Sequence, residues 1–145
     1  MPFHFPLATV LRVRKSLEKR EERALQKIQL EMARVSRQID ELSAEIVQAH
    51  NGRERALKQP IPAIHLHMHL WTSEAALAKK KSLIRDLQRL EELRDQQLKA
   101  YHAAHRNSET LIDLQHKQRD AYDLEQARSQ QKQLDDIFIA RRQRS

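Results

Sequence analysis

Ile28-Gln29-Leu30-Glu31-Met32-Ala33-Arg34-Val35-Ser36-Arg37-Gln38-Ile39-Asp40-Glu41-Leu42-Ser43-Ala44-Glu45-Ile46 is the stretch that decides the fold. Its apolar residues Ile28, Met32, Val35, Ile39, Leu42 and Ile46 recur at alternating steps of four and three, and Ala49 follows in phase. A 3-4 alternation lines one narrow stripe of a helix and is the signature of a coiled-coil seam. Upstream the stripe is expected to continue through Val10, Val13, Leu17, Arg20 and Ala24. The steps from Ala24 to Ile28 to Met32 are both four, so a drift in register and local unwinding are expected there.

The rest of the composition points the same way. The 145 residues include one glycine, no cysteine, 32% charged residues and 4% aromatics, which suits long helices better than a mixed fold rich in turns and bulky core residues. Asn51-Gly52 is a turn signal, yet the helix-favouring run Arg53 to Lys58 lets helix resume. The firm break is Pro60-Ile61-Pro62. Two prolines remove two amide donors and push the residues before them out of helical geometry, while Pro62 suits the start of a new helix. The expected architecture is all-α: one antiparallel coiled-coil hairpin over residues 1–145, with helix over about 7–58, a bend over about 59–62 and a longer helix over about 63–141. If Thr72-Ser73-Glu74 were the true cap, the second helix would start there instead.

The seam of the second helix is clearest at Leu83, Leu87, Leu90 and Leu93, beside Ile84, Leu98, Tyr101 and Leu111. Beyond Leu114 it thins to Ala121, Leu124, Gln131, Leu134 and Phe138, and looser pairing is expected. At 1.5 Å per residue the helices would be roughly 75 and 115 Å long, so the second must overhang the first in its C-terminal third. Both chain ends then lie toward one pole.

The chemistry of an enzyme is missing. A single glycine cannot build a phosphate-cradling loop, and a two-helix hairpin has no walled pocket in which a nucleophile or a carboxylate pair could converge. The chain reads as a non-enzyme without a cofactor or a small-molecule substrate. Without cysteine there is no disulfide framework and no thiolate metal site, which fits a reducing compartment. His65, His67 and His69 form the one tempting constellation, since His65 and His69 would share a helix face at a zinc-binding spacing. No nearby acid or thiolate completes a ligand set, so no metal is expected. Trp71, beside Leu66, Met68 and Leu70, either plugs the closed end of the hairpin, which is the expectation, or stands exposed as an anchor for a partner.

The formal net charge of +7 admits nucleic acid, an anionic membrane or an acidic protein as partner. Lys79-Lys80-Lys81 has no interleaved aromatics to stack on bases, and acids such as Glu18, Glu21, Glu22 and Glu31 alternate with Lys19, Arg20, Arg23 and Lys27 as on a solvated helix face. A basic nucleic-acid-associated coiled coil is therefore the alternative reading. Arg12, Arg14 and Lys15 follow the first apolar residues too closely for a secretory signal, and the run Ile61 to Trp71 is far short of the roughly 20 residues of a membrane span. A soluble protein without direct membrane insertion is expected.

The two ends carry a resemblance. Phe5-x-Leu7-x-x-Val10-Leu11-x-x-Arg14, then a charged helix with Glu18 and Glu22, a proline-marked bend, a longer second helix, and Leu134-Asp135-Asp136-Ile137 before Arg141-Arg142 resemble the FliJ family of flagellar type III export. The resemblance implies a hairpin similar to the central stalk subunit of rotary ATPases, in a cytoplasmic protein peripheral to the membrane export apparatus. Its tip would enter the pore of the hexameric export ATPase, promote ring assembly and activity, and couple the ring to the membrane export gate; escort of export chaperones is also implied. By this resemblance Phe5, Leu7, Val10, Leu11, Arg12, Arg14, Asp135, Arg141 and Arg142 would bind the ATPase, and Leu70 and Trp71 the export gate. Injectisome export stalks share the fold and a similar N-terminal pattern, so the equivalent injectisome stalk is a second alternative.

Overall fold

The computed structural model describes residues 2–144. It contains two α-helices, α1 (Ala8–Ala56) and α2 (Ala63–Arg144), packed against each other, the second the longer. The helix bounds agree with the sequence expectation to within about three residues at every end. Gly52 does not interrupt α1: it is helical, its φ is not positive, and open space surrounds the position where a side chain would stand. α1 ends by tightening, with Lys58 and Gln59 amides donating to the carbonyls of Arg55 and Ala56 at 3.3 and 3.2 Å. At the other side of the bend the Pro62 carbonyl accepts from the amides of His65 and Leu66, so the proline starts α2 where its missing amide costs nothing. Thr72 is not a cap. It lies inside α2 and its hydroxyl donates back to the carbonyls of Met68 and His69 at 2.5 and 3.2 Å, the bond available to a threonine within a helix.

The chain forms two compact units, Glu21–Ala100 and Met1–Arg20 with Tyr101–Ser145. In the unit built from 21–100, α1 turns Glu21, Leu25, Ile28, Met32, Val35, Ile39, Leu42 and Ile46 inward, with Val35 and Leu42 buried. α2 answers with Ser73, Ala76, Lys80, Leu83, Leu87, Leu90, Arg94 and Gln97, all half-buried. Both series keep the 3-4 alternation without a fault. Leu93 and Leu98, one step out of phase, are exposed, and Arg94 and Gln97 take the seam positions expected of leucines. The Gln97 side-chain amide donates to the backbone carbonyl and the carboxylate of Glu21, at 3.0 and 2.5 Å.

In the other unit α1 turns Leu11 and Glu18 inward, while Val10, Val13 and Leu17 are exposed. The expected stripe through Val10, Val13, Leu17 and Arg20 is thus on the wrong face. The seam phase runs 11, 14, 18, 21, 25, 28 with no drift, through a glutamate at 18 that an apolar search passes over. α2 supplies Tyr101, Ala104, Ser108, Leu111, Gln115, Gln118 and Tyr122 in the same unbroken alternation. Pairing therefore holds as far as Tyr122, further than the thinning beyond Leu114 suggested. From Asp123 onward every described residue of α2 is exposed, and this is the overhang.

Glu18 ties the polar seam together. One carboxylate oxygen accepts from the Ser108 hydroxyl at 2.5 Å and the other from His105 Nδ1 at 2.6 Å. Ser108 is the most deeply buried side chain described, at 1% exposure. The remaining ring nitrogen of His105 faces Glu109 at 3.3 Å, and the ring stacks on Tyr101. The Ser108 hydroxyl first, then His105, holds the Glu18 carboxyl below its ordinary range, and the hydrogen bond to Glu18 raises His105. Among the described residues no buried side-chain nitrogen or oxygen lacks a partner, which is what makes a polar seam tolerable.

The signs of the two shifts fix a stability window. The depressed carboxyl contributes fully above the ordinary glutamate value of 4.5 and loses its contribution as pH falls through its folded value. The raised imidazole contributes fully below the ordinary histidine value of 6.5 and loses its contribution as pH rises through its folded value. Thermal melts followed by circular dichroism should show the network's contribution complete between those two values and declining on either side. His105→Gln should flatten the alkaline decline selectively, and an unchanged profile would show that the ring carries no proton there. Separately, Gly52→Ala should raise stability by about 0.5–1 kcal/mol, read as a higher urea midpoint with unchanged slope, because the site is helical and sterically open.

Candidate functional surfaces

Before α1 begins, residues 2–7 are not free ends. Phe5 is 4% exposed, the Phe3 ring lies 5.6 Å from that of Tyr122, and the Phe5 carbonyl accepts from the Ala8 amide at 3.1 Å. The burial of Phe5, the Phe3–Tyr122 ring contact and the turn at Pro6-Leu7 fix how the first turn of α1 is presented. With Phe5 and Leu11 facing inward, Leu7, Val10 and Val13 face solvent, and so do Arg12, Arg14 and Lys15. The residues predicted for partner binding at this end therefore divide: Phe5 and Leu11 hold the segment, whereas Leu7, Val10, Arg12 and Arg14 form its surface.

The predicted residues near the C-terminus lie on the exposed overhang. Asp135 accepts from the Gln131 side chain one turn earlier at 3.2 Å. Arg141, Arg142 and Arg144 occupy the last turn of α2, where cations complement the negative end of the helix dipole. Leu134, Ile137, Phe138 and Ile139 are exposed beside them. Arg141 stands 19 residues past Tyr122, a rise of about 28 Å along α2. The N-terminal and C-terminal groups are thus two successive surfaces along one helix, not one patch.

Charge is distributed in the same way. Residues 1–20 hold five Lys and Arg against Glu18 alone, residues 137–145 hold three Arg and no acid, and residues 21–136 hold 19 basic and 19 acidic residues. The whole formal excess of +7 therefore belongs to the two terminal segments. No acid occupies the first turn of α1, so the positive end of its dipole adds to Arg12 and Arg14.

The other exposed apolar group is beside the bend. Trp71 is 75% exposed, and Ile64, Met68, Leu70 and Leu77 are exposed too, so Trp71 does not plug the closed end. On the seam side of α2 Leu66 and Ala76 are half-buried. Helical geometry puts His67 on a different face from His65 and His69, and no group of three or more possible metal ligands comes together among the described residues.

Apolar periodicity did not show Glu18, Glu21, Gln97, His105 and Ser108 as seam residues. The signal that finds Glu18, Glu21, Gln97 and Ser108 is phase: each stands on the 3-4 ladder extended from the apolar stretches, whereas His105 stands one residue beside it. Among the described residues no helix is long and apolar enough to cross a membrane. No curated protein and no solved structure shows significant similarity to the chain. The family model described as flagellar FliJ protein matches residues 3–145, nearly the whole length. The chain belongs to the FliJ family and is a non-catalytic component of flagellar type III export.

Proposed function

We propose that this protein is the stalk of the flagellar export ATPase: its basic, apolar-studded terminal segments seat in the pore of the hexameric ring and promote ring assembly and ATP hydrolysis. The observation that carries this reading is the division at the N-terminus. Phe5 and Leu11 are buried while Val10 is exposed in the same turns as Arg12 and Arg14, and Leu7 is partly exposed at the start of the helix. Apolar side chains seat in a ring lining while the arginines meet acidic loops, which gives both affinity and fast encounter. The concentration of net charge in the terminal segments supports the same surface, as do Asp135, Arg141 and Arg142 on the overhang.

Coupling to the membrane export gate is assigned to the bend, where Leu70 and Trp71 are exposed and where the family resemblance puts the second partner. Escort of export chaperones rests on that resemblance. The protein works in the cytoplasm at the membrane export apparatus, without cofactor and without a small-molecule substrate.

ATP hydrolysis by the cognate export ATPase, measured with and without this protein and alongside electron microscopy of rings, tests the stalk reading. Stimulation and a larger share of six-membered rings are expected. Val10→Asp is the informative variant, because the residue is exposed and its replacement leaves the seam intact, whereas Leu11→Asp would put a charge in the core. Val10→Asp should lower the apparent affinity for the ATPase about tenfold at unchanged helicity. Stimulation that is indifferent to Val10→Asp, Leu7→Asp and Arg14→Glu would remove the N-terminal segment from the interface.

A further inference from the structure

Beside the seam, α2 carries a second ordered line of side chains. Leu77 and Ile84 each follow a seam residue, Ala76 and Leu83, and with Leu70 they recur every seven residues; all three are exposed. A seven-residue step returns to nearly the same helix face, so they form one line on the flank of the α1–α2 pair. Glu74 and Lys81 occupy the 3-4 steps between them and are exposed too. Trp71 belongs to a different face, being turned about 100° from Leu70. α1 leaves the line open: Leu70, Glu74 and Leu77 border an apolar hollow whose other wall is Ile46, Val47, His50 and Arg53 of α1, and Val47 is exposed.

The order along the line is apolar, acid, apolar, base, apolar. Read from the other end, acid and base exchange places and the apolar positions stay. That is the pattern of a surface complementary to itself when two helices run antiparallel. A two-fold axis passing Leu77 sets Leu70 level with the second copy's Ile84, each about 10.5 Å from the axis along the helix. Glu74 and the second copy's Lys81 then lie at about 4.5 and 6 Å from it, on the same side of the contact. A parallel pair would set Glu74 against Glu74 and Lys81 against Lys81, which like charges oppose. Among the described residues neither the Glu74 carboxylate nor the Lys81 ammonium is engaged in an ion pair, so both charges are available.

We propose that the line Leu70–Leu77–Ile84 is a homodimer contact, in which two copies of α2 pack antiparallel across Leu77 and exchange two Glu74–Lys81 ion pairs. The apolar residues supply the affinity and the charges set the orientation. The contact lies wholly within the unit built from residues 21–100. It does not rest on the stalk reading, since it needs only this chain.

Sedimentation equilibrium of the purified full-length protein should show a reversible monomer–dimer equilibrium with a Kd of about 10–100 μM, because a contact about 21 Å long is small for a specific interface. Leu77→Asp should remove the dimer at unchanged helicity. Glu74→Lys and Lys81→Glu should each weaken self-association about tenfold, since each sets like charges face to face twice. Mixing those two variants should restore association, and so should combining both substitutions in one chain. The protein has no cysteine, so pairs of single-cysteine variants report the geometry. Under oxidation Leu70→Cys mixed with Ile84→Cys should give a disulfide-linked dimer, whereas Ala75→Cys, on the far side of α2, should not. A chain that stays monomeric across this concentration range overturns the proposal. So does a dimer indifferent to Leu77→Asp and to the charge exchange, which would lie on another face, and so does ready cross-linking of Leu70→Cys with itself, which would make the pair parallel.

Discussion

Two helices can cover only one narrow stripe of each other, and the stripe must return every seven residues. This constraint decides which side chains are inside, ahead of their hydrophobicity. Leu93 and Leu98 are out of phase and exposed, while Gln97, Ser108 and Glu18 are in phase and drawn inward. An in-phase polar group must then find a partner on the facing helix, since an unpaired one would cost more than a seam of this width recovers. Gln97 with Glu21, and Glu18 with His105 and Ser108, are the solutions. They also fix alignment. A seam of leucines alone stays favourable when one helix slides by a heptad, whereas these pairs exist in one register only.

The same constraint explains what the sequence made legible. From Ile28 to Ile46 apolar character and phase coincide, so the seam there is readable from residue types. The proline pair marked the bend because its effect is local and steric. The N-terminal part misled for a definite reason: Val10, Val13 and Leu17 make a convincing apolar stripe of their own, which the fold leaves in solvent. Phase carried back from Leu25 through Glu21 and Glu18 to Leu11 identifies the true face, but only for a reader willing to put carboxylates in a core. Ser108 is marked by phase alone, and His105, one residue off the ladder, carries no local mark at all; its role appears once the helices are in register.

Burial of Phe5 is the link from fold to surface. An apolar N-terminal plug could have been wholly a partner's ligand, but Phe5 and the Phe3–Tyr122 contact turn it into an anchor. Because the segment is held, Leu7 and Val10 are displayed in a fixed orientation with Arg12 and Arg14, and less entropy is lost when a partner closes over them. Charge separates the surfaces by kind. The terminal segments hold the entire net charge, and the bend holds an exposed tryptophan in a stretch free of acids.

The overhang poses the sharper physical question. Residues 123–144 form helix with no covering element in their own unit, a length of about 33 Å. Isolated helices of this size are marginal in water, and most helical stability comes from a packed face. What sustains this one is local: continuity with the paired part of α2, which removes the cost of nucleation, the absence of glycine and proline, the Gln131–Asp135 pair, and three arginines at the dipole's negative end. Those terms hold a helix but do not explain why Leu134, Ile137, Phe138 and Ile139 stand on it in solvent. A segment selected only to be a soluble helix would carry polar residues there. Clustered apolar side chains ending in arginines, on a helix already formed, fit a surface completed by a partner of opposite charge, and a ring that encloses the helix would cover those side chains on all sides at once.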